Sequence, residues 1–440
     1  MITITEAEWQ ALQQQLADLT TQLTAAQQRI AELERKKTPP PAFVKTNVPA
    51  RPKAVRQRRA PEHNQARQRE TPTEVVSHPI TQCPGCQGRL SGLHVGRRRQ
   101  VIEVPPPPPV QVTEHQVQCG WCSSCHRWQE APLDLTGQVV GQGRFGVRLA
   151  ALITQMRLVL RTPIRLIQSW LQQVHGLTVS LGAISDLLRR VAQQGQPQAA
   201  QIHTTIQASA AVNADETTWR EQGHQGYIWA LATPTGERSF TFRRSRAGAV
   251  INGLLGDDFR GVLTTDFYAG YNDTPGGQHQ RCWVHLLRDL HALTDLHPVS
   301  VEVRAWKDAL VDLYQRGKAA RGDPQAARLA AQLQTDLVDL AHVFVGVPGH
   351  PCVTLAKRLL RHQGELFTFL TAPGVAPDNN AAERAVRPLV VARKISGGSR
   401  SAQGTATHMT LASLVYTWLA QGRNPLLEVQ HLFADPLPQL

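Results

Sequence analysis

The sequence lacks a long hydrophobic run. No stretch approaches the ~18 uninterrupted apolar residues of a membrane span, and the longest apolar region, Leu149 to Leu160, is broken by Gln155 and Arg157. A membrane partner is therefore not expected. An export signal is missing too: Met1 to Gln10 carries Glu6 and Glu8 and no apolar stretch. The expected compartment is the cytoplasm. Acidic residues are in deficit, 34 against 47 Lys and Arg, for a net charge of +13. Such an excess says nothing about fold, but it favours nucleic acid or another polyanion as partner. Cysteine is sparse, seven in 440 residues, odd in number and clustered. Without an export signal, that favours metal binding over a disulfide framework.

What is present falls into segments. Trp9, Leu12, Leu16, Leu19, Leu23, Ala26, Ile30 and Leu33 alternate spacings of three and four, which places them on one seam of a helix. Residues 1–36 read as a leucine-rich helix, either a short self-associating coiled coil or an amphipathic helix packed on the body. Residues 37–75 are proline-containing, rich in Lys and Arg and nearly free of large apolar side chains, so a flexible basic linker is expected. Residues 76–133 hold two CxxC knuckles, Cys83/Cys86 and Cys122/Cys125. Four thiolates at this spacing suit one tetrahedral, structural Zn²⁺ in a zinc ribbon. Cys119 makes the second knuckle ambiguous.

Residues 134–200 turn helical. A helix over Pro163–Val174, a break containing Gly176, and a second helix over Leu181–Val191 capped by Ser180 resemble a helix-turn-helix. An ordinary helical hairpin has the same pattern. Arg189 and Arg190 are the candidate DNA contacts of this domain.

In residues 201–405 the spacing predicts a short strand over Ala211–Asn213 ending at Asp215, then strands over Tyr227–Thr233 and Ser239–Arg243. A fourth over Gly261–Thr265 ends at Asp266, and a fifth over His279–Trp283 runs into a helix. Helical periodicity fills about 295–375, and Asp378 is placed to cap a helix carrying Glu383. This order is that of an RNase H-like α/β core with a helical insertion, and residues 406–440 form a C-terminal helical tail. Two strand-borne aspartates with a helical glutamate are the residue types that hold two hard divalent cations, Mg²⁺ or Mn²⁺, against a DNA phosphate. Glu216, Asp257 and Asp258 are nearby acids that confuse a count of carboxylates. His285, Arg288, Arg384, Arg387, Arg393 and Lys394 are candidate phosphate contacts. Cys282 and His285 stand in a C-x-x-H spacing; two ligands are too few for a metal, so a packing role or a DNA-end contact is the expectation.

The segments ADETTWREQGHQGYIWALATP, GVLTTDFYAGYN, QRCWVHLLRDL and DNNAAERAVRPLVVARKISGGSRSAQGTATHMTLASLV together resemble the transposases of the insertion-sequence-66 family. The last block is the most specific. The family belongs to the DDE class, so the resemblance implies Asp215, Asp266 and Glu383 as the catalytic, Mg²⁺-binding triad. It implies an enzyme that binds the terminal inverted repeats of a mobile element, cleaves the ends and joins them to target DNA. Homo-oligomerisation is expected, and the small accessory proteins that such elements often encode would be further partners. The competing functions are an inactive DNA-binding derivative acting on element ends and an RNase H-type nuclease. Ile395 to Ser399 departs from the family, many members of which carry a bulkier apolar residue there.

Overall fold

A computed structural model describes residues 6–36, 69–274 and 277–434. Most of the predicted basic linker falls outside these residues. The chain divides into two units, Met1–Val104 and Pro105–Leu440. In the first, α1 spans Glu6–Lys36. Leu16, Leu19 and Leu23 are exposed on it; the other seam side chains lie outside the described ones. Around Cys83 the backbone closes a tight turn, with the Cys83 N–H on the Gly88 carbonyl and the Gln87 N–H on the Cys83 carbonyl.

The second unit opens with a small hairpin, β1 (Cys119–Cys122) and β2 (Arg127–Glu130). Four helices follow: α2 (Val147–Leu158), α3 (Ile164–His175), α4 (Leu181–Gln194) and α5 (Gln196–Gln207). The Ser180 hydroxyl accepts the Ala183 N–H at 3.1 Å, and Gly176 ends α3 in the left-handed conformation, the start and stop chemistry that the sequence implies.

The rest of the unit is mixed α/β. β3 (Ala211–Glu221), β4 (His224–Ala232) and β5 (Arg238–Arg243) form an antiparallel meander; α6 (Gly248–Leu255) leads to β6 (Val262–Thr265) and β7 (Gln278–Arg281). The sheet order is β5-β4-β3-β6-β7, with β6 parallel to β3 and β7 parallel to β6. Then come α7 (Trp283–Leu296), α8 (Val301–Ala319), α9 (Ala326–Val345), α10 (Val353–Arg361) and α11 (Thr368–Thr371). The chain returns to the sheet with α12 (Asn380–Ser396), α13 (Ala402–Ala420) and α14 (Pro425–Ala434). No helix among the described residues is long and apolar enough to cross a membrane.

Two apolar cores result. The first joins α2–α5, the sheet, α12, α13 and α14, so the last helices pack back on elements more than two hundred residues earlier. The second joins α7 to α11 around Trp283, Leu310 and Leu337. One strand differs from expectation. β3 does not end at Asp215 but runs on to Glu221, because β4 pairs with it from Asn213 to Glu221 while its parallel partner β6 stops at Thr265.

α12 is clamped to β3 at both ends. At its start the Asn379 side chain donates to the Ala214 carbonyl (2.7 Å) and accepts from Asn213 (3.0 Å). Beyond its end the Ser399 N–H donates to the Arg220 carbonyl, the Gln222 N–H donates to the Ser399 carbonyl, and Trp219 Nε1 donates to Ser399 Oγ. This second clamp needs Gly398, whose φ is +122° and where an added Cβ would stand 2.1 Å from the Arg220 carbonyl oxygen. Even Gly398→Ala is expected to cost about 2–4 kcal/mol, since backbone rather than a flexible side chain must yield. Thermal unfolding of the full chain checks this; an unchanged midpoint would show that the clamp is dispensable.

Candidate active site

The parallel pairing of β3 with β6 sets the first two acids side by side. Asn213 lies opposite Thr264, so Asp215 and Asp266, each two residues on, stand at the same level, Asp215 within β3 and Asp266 just past the end of β6. Glu383 comes from the first turn of α12. All three are half-buried. Burial pushes the Asp215 carboxyl up to about 7, and the charges of Glu216, Asp266 and Glu383 push in the same direction. A backbone bond from Glu216 only partly offsets them. Like charges crowded in a low-dielectric setting favour a proton or a cation.

Supporting residues fix Asp266 and the start of the helix that carries Glu383. The Asp266 side chain accepts the Tyr268 N–H at 2.9 Å, and its carbonyl accepts from the fully buried Arg281 (2.9 Å). Arg281 also donates to Thr265 Oγ1, Asn272 Oδ1 and Glu365 Oε2. Burial alone would raise the Glu365 carboxyl, but bonds from His362 and Arg281 hold it at about 2. Glu383 depends on the stitching of α12. The Asp378 carboxylate accepts the Asn380 N–H (3.1 Å), while the Pro377 carbonyl accepts the Trp283 N–H and the Cys282 sulfur accepts the Asn379 N–H (3.1 Å).

The confusing acids are accounted for. Glu216 is committed to Arg246 (Nε to Oε1, 2.7 Å) and to the Tyr271 hydroxyl. Arg246 in turn lies over the Tyr268 ring, 3.7 Å from its centroid. Asp257 and Asp258 are exposed on the turn before β6.

On α7 and α12, Arg288, Arg384, Arg387 and Lys394 are exposed, whereas Arg393 is half-buried and bonded to Thr218 on β3. His285 Nδ1 lies 3.7 Å from Glu383 Oε1. Burial pushes the Cys282 thiol up to about 11, against backbone N–H groups of His285, Asn379 and Val284 that favour its thiolate. Elsewhere, Arg189 and Arg190 of α4 both pair with Asp186, Arg190 Nε at 2.7 Å, so their charge is partly spent within the helix.

The cysteine knuckles are built alike. In one unit, N–H groups of Cys86 and Gly85 lower the Cys83 thiol below its ordinary range. In the other, Cys122 is lowered chiefly by Cys125, with Ser124 assisting. Cys119 starts β1 opposite Glu130, at the far end of the hairpin from the turn that holds Cys122 and Cys125.

Sequence reasoning missed Asn213, Asn379, Arg246 and Arg281 as positioning residues. An arginine in a short strand, Arg281, and an asparagine in an apolar one, Asn213, were the available signals: buried polar groups need partners.

The family described as Transposase IS66 family matches residues 142–407, a stretch that includes the sheet, all three acids and the second core. Among curated relatives, the uncharacterized protein y4jO of Sinorhizobium fredii is 31% identical over 188 residues, 42% of this chain and 54% of that protein. The uncharacterized protein y4qI of the same organism is 27% identical over 286 residues, 57% of this chain and 52% of that protein. The chain spans about half the length of these relatives.

Proposed function

Since the chain belongs to the IS66 transposase family, we propose that it cuts the ends of a mobile element and joins them to target DNA at an RNase H-like site formed by Asp215, Asp266 and Glu383. The observation that carries this reading is the register of β3 and β6, which sets Asp215 beside Asp266 within the field of Glu383.

The donor set suits hard divalent cations: carboxylate oxygens only, half-buried, with Asp215's proton affinity raised by burial first and by the neighbouring carboxylates second. Asp215, Asp266 and Glu383 would hold Mg²⁺ or Mn²⁺. When bound, the cations activate the attacking oxygen and stabilise the leaving one. In end cleavage, water attacks phosphorus and the P–O3′ bond breaks, leaving a 5′-phosphate and a free 3′-hydroxyl. In strand transfer that 3′ oxygen attacks a target phosphodiester and displaces another 3′ oxygen. The chain's own contribution is placement: Arg281 under the Asp266 turn, and the two clamps on α12 for Glu383. The exposed Arg288, Arg384, Arg387 and Lys394 supply a basic rim for phosphates. The net charge of +13 suits double-stranded DNA, both element ends and target.

Asp215→Asn, Asp266→Asn and Glu383→Gln are each expected to lower Mg²⁺-dependent strand transfer on element-end DNA by at least about 10³-fold, with end binding retained. Wild-type transfer by any of the three overturns the triad.

End binding and pairing belong in this reading to the other modules. Each CxxC knuckle offers two thiolates of zinc type, Cys83/Cys86 and Cys122/Cys125, and the α3–α4 pair with Arg189 and Arg190 has the form of a helix-turn-helix. The exposed Leu16, Leu19 and Leu23 suit pairing with a second copy. Leu16→Lys with Leu23→Lys is expected to shift the full chain to a smaller species in sedimentation while leaving its thermal unfolding unchanged. An unchanged oligomer would place self-association elsewhere.

A further inference from the structure

We propose that Cys282, His285 and Glu383 form a three-ligand site for a borderline divalent cation of the zinc class, sharing Glu383 with the acidic pair. The inference rests on the reading above only for the second role of Glu383.

Three observations carry it. Cys282 Sγ, a His285 ring nitrogen and a Glu383 carboxylate oxygen all lie within 4.8 Å of one another. His285 Nδ1 and Glu383 Oε1 stand 3.7 Å apart, and both are buried atoms without a hydrogen-bond partner. Buried polar atoms are ordinarily satisfied, and two orphaned ones this close together suit a shared partner. A cation meets both needs. Bonds of about 2.1 Å at a tetrahedral angle separate nitrogen and oxygen ligands by about 3.4 Å, close to the spacing seen.

The third observation is how firmly the donors are held. Cys282 is the residue before α7, and His285 is one turn on along the same helix. Glu383 is fixed against them because the segment leading into α12 bonds to the β7–α7 junction at two points, the Trp283 N–H to the Pro377 carbonyl and the Asn379 N–H to the Cys282 sulfur. Sulfur and imidazole donors select Zn²⁺ or Co²⁺ over Mg²⁺, which prefers oxygen alone. Three protein ligands leave a fourth position open, as in a reactive rather than a purely structural zinc site. The two-ligand C-x-x-H pair of the sequence becomes a site only when the fold adds Glu383.

Co²⁺ is the probe, titrated into the chelator-treated full chain and followed by absorption and equilibrium dialysis. His285→Gln, at a half-exposed position, tests the site without disturbing the core; Cys282→Ser tests the sulfur. Each is expected to bind one Co²⁺ fewer than wild type, and Cys282→Ser to lose a thiolate-to-cobalt absorption component that Cys122→Ser retains. Unchanged stoichiometry in His285→Gln overturns the site. Asp215→Asn separates the two ideas. If it abolishes strand transfer while every variant binds cobalt alike, the inference fails and the triad stands. If it transfers strands normally while His285→Gln loses one Co²⁺, the triad fails and this site stands.

Discussion

Asp215→Asn is expected to stabilise the metal-free protein while destroying its metal-dependent chemistry. The folded chain holds the Asp215 proton up to about pH 7, whereas the ordinary value is 3.8. Between those values the folded state keeps a proton that the unfolded state has released. Stability therefore falls as pH rises through that window and levels off above about 7. Each tenfold change in proton affinity is worth roughly 1.4 kcal/mol, so the carboxylate costs the folded metal-free chain on the order of 4 kcal/mol at pH 8. The amide carries no charge and removes that cost. Thermal unfolding in chelator should show Asp215→Asn above wild type at pH 8, with the gap closing as pH falls towards about 4. Added Mg²⁺ should raise wild type and leave the variant unmoved, because a ligand that binds only the folded state stabilises it by mass action. A variant less stable than wild type at pH 8 in chelator would refute the crowded-carboxylate account.

Asn379→Ala is expected to damage both fold and reaction. Asn379 is buried, and its side chain joins Ala214 and Asn213 on β3 across 165 and 166 residues of sequence. Alanine leaves a buried carbonyl and a buried amide short of partners, at about 2–4 kcal/mol for the two. The same loss frees the start of α12, and with it Glu383. Displacing a catalytic group by about 1 Å can cost on the order of 10²-fold in rate. Urea unfolding would report the first effect and strand transfer the second, measured well below the unfolding midpoint. Lower stability with undiminished transfer would make Asn379 a packing residue only.

Much of this architecture was legible from local chemistry. Ser180 and Gly176 mark a helix start and stop wherever they stand, because caps satisfy backbone groups within one turn. Short β-rich runs marked five strands, and the two aspartates fell on two neighbouring strands that pair in parallel, β3 and the end of β6. The length of β3 was not legible. Its residues past Asp215 include Glu216, Arg220 and Glu221 and do not read as a buried strand; β4 keeps them extended. The fate of charges was equally hidden. Glu216 looked as available as Asp215 until Arg246 and Tyr271 were placed against it. Arg189 and Arg190 looked like a DNA-facing pair, and Asp186 on the same helix takes part of their charge.

The sequence by itself determined which residue types could meet: a basic chain, carboxylates for hard cations, paired thiols, a leucine seam and the motifs that resemble one family. Those properties are local, set by side-chain chemistry and by spacings of two to seven residues. Tertiary structure alone decided which carboxylates are free and which are spent, that α13 and α14 complete the core of helices near residue 150, and that Glu383 reaches both Asp215 and His285. These outcomes depend on hydrogen bonds and packing between residues tens to hundreds of positions apart. No periodicity records such contacts, because the polar groups that make them, Asn213, Arg281 and Asn379, have identities that say a partner is needed and not which one.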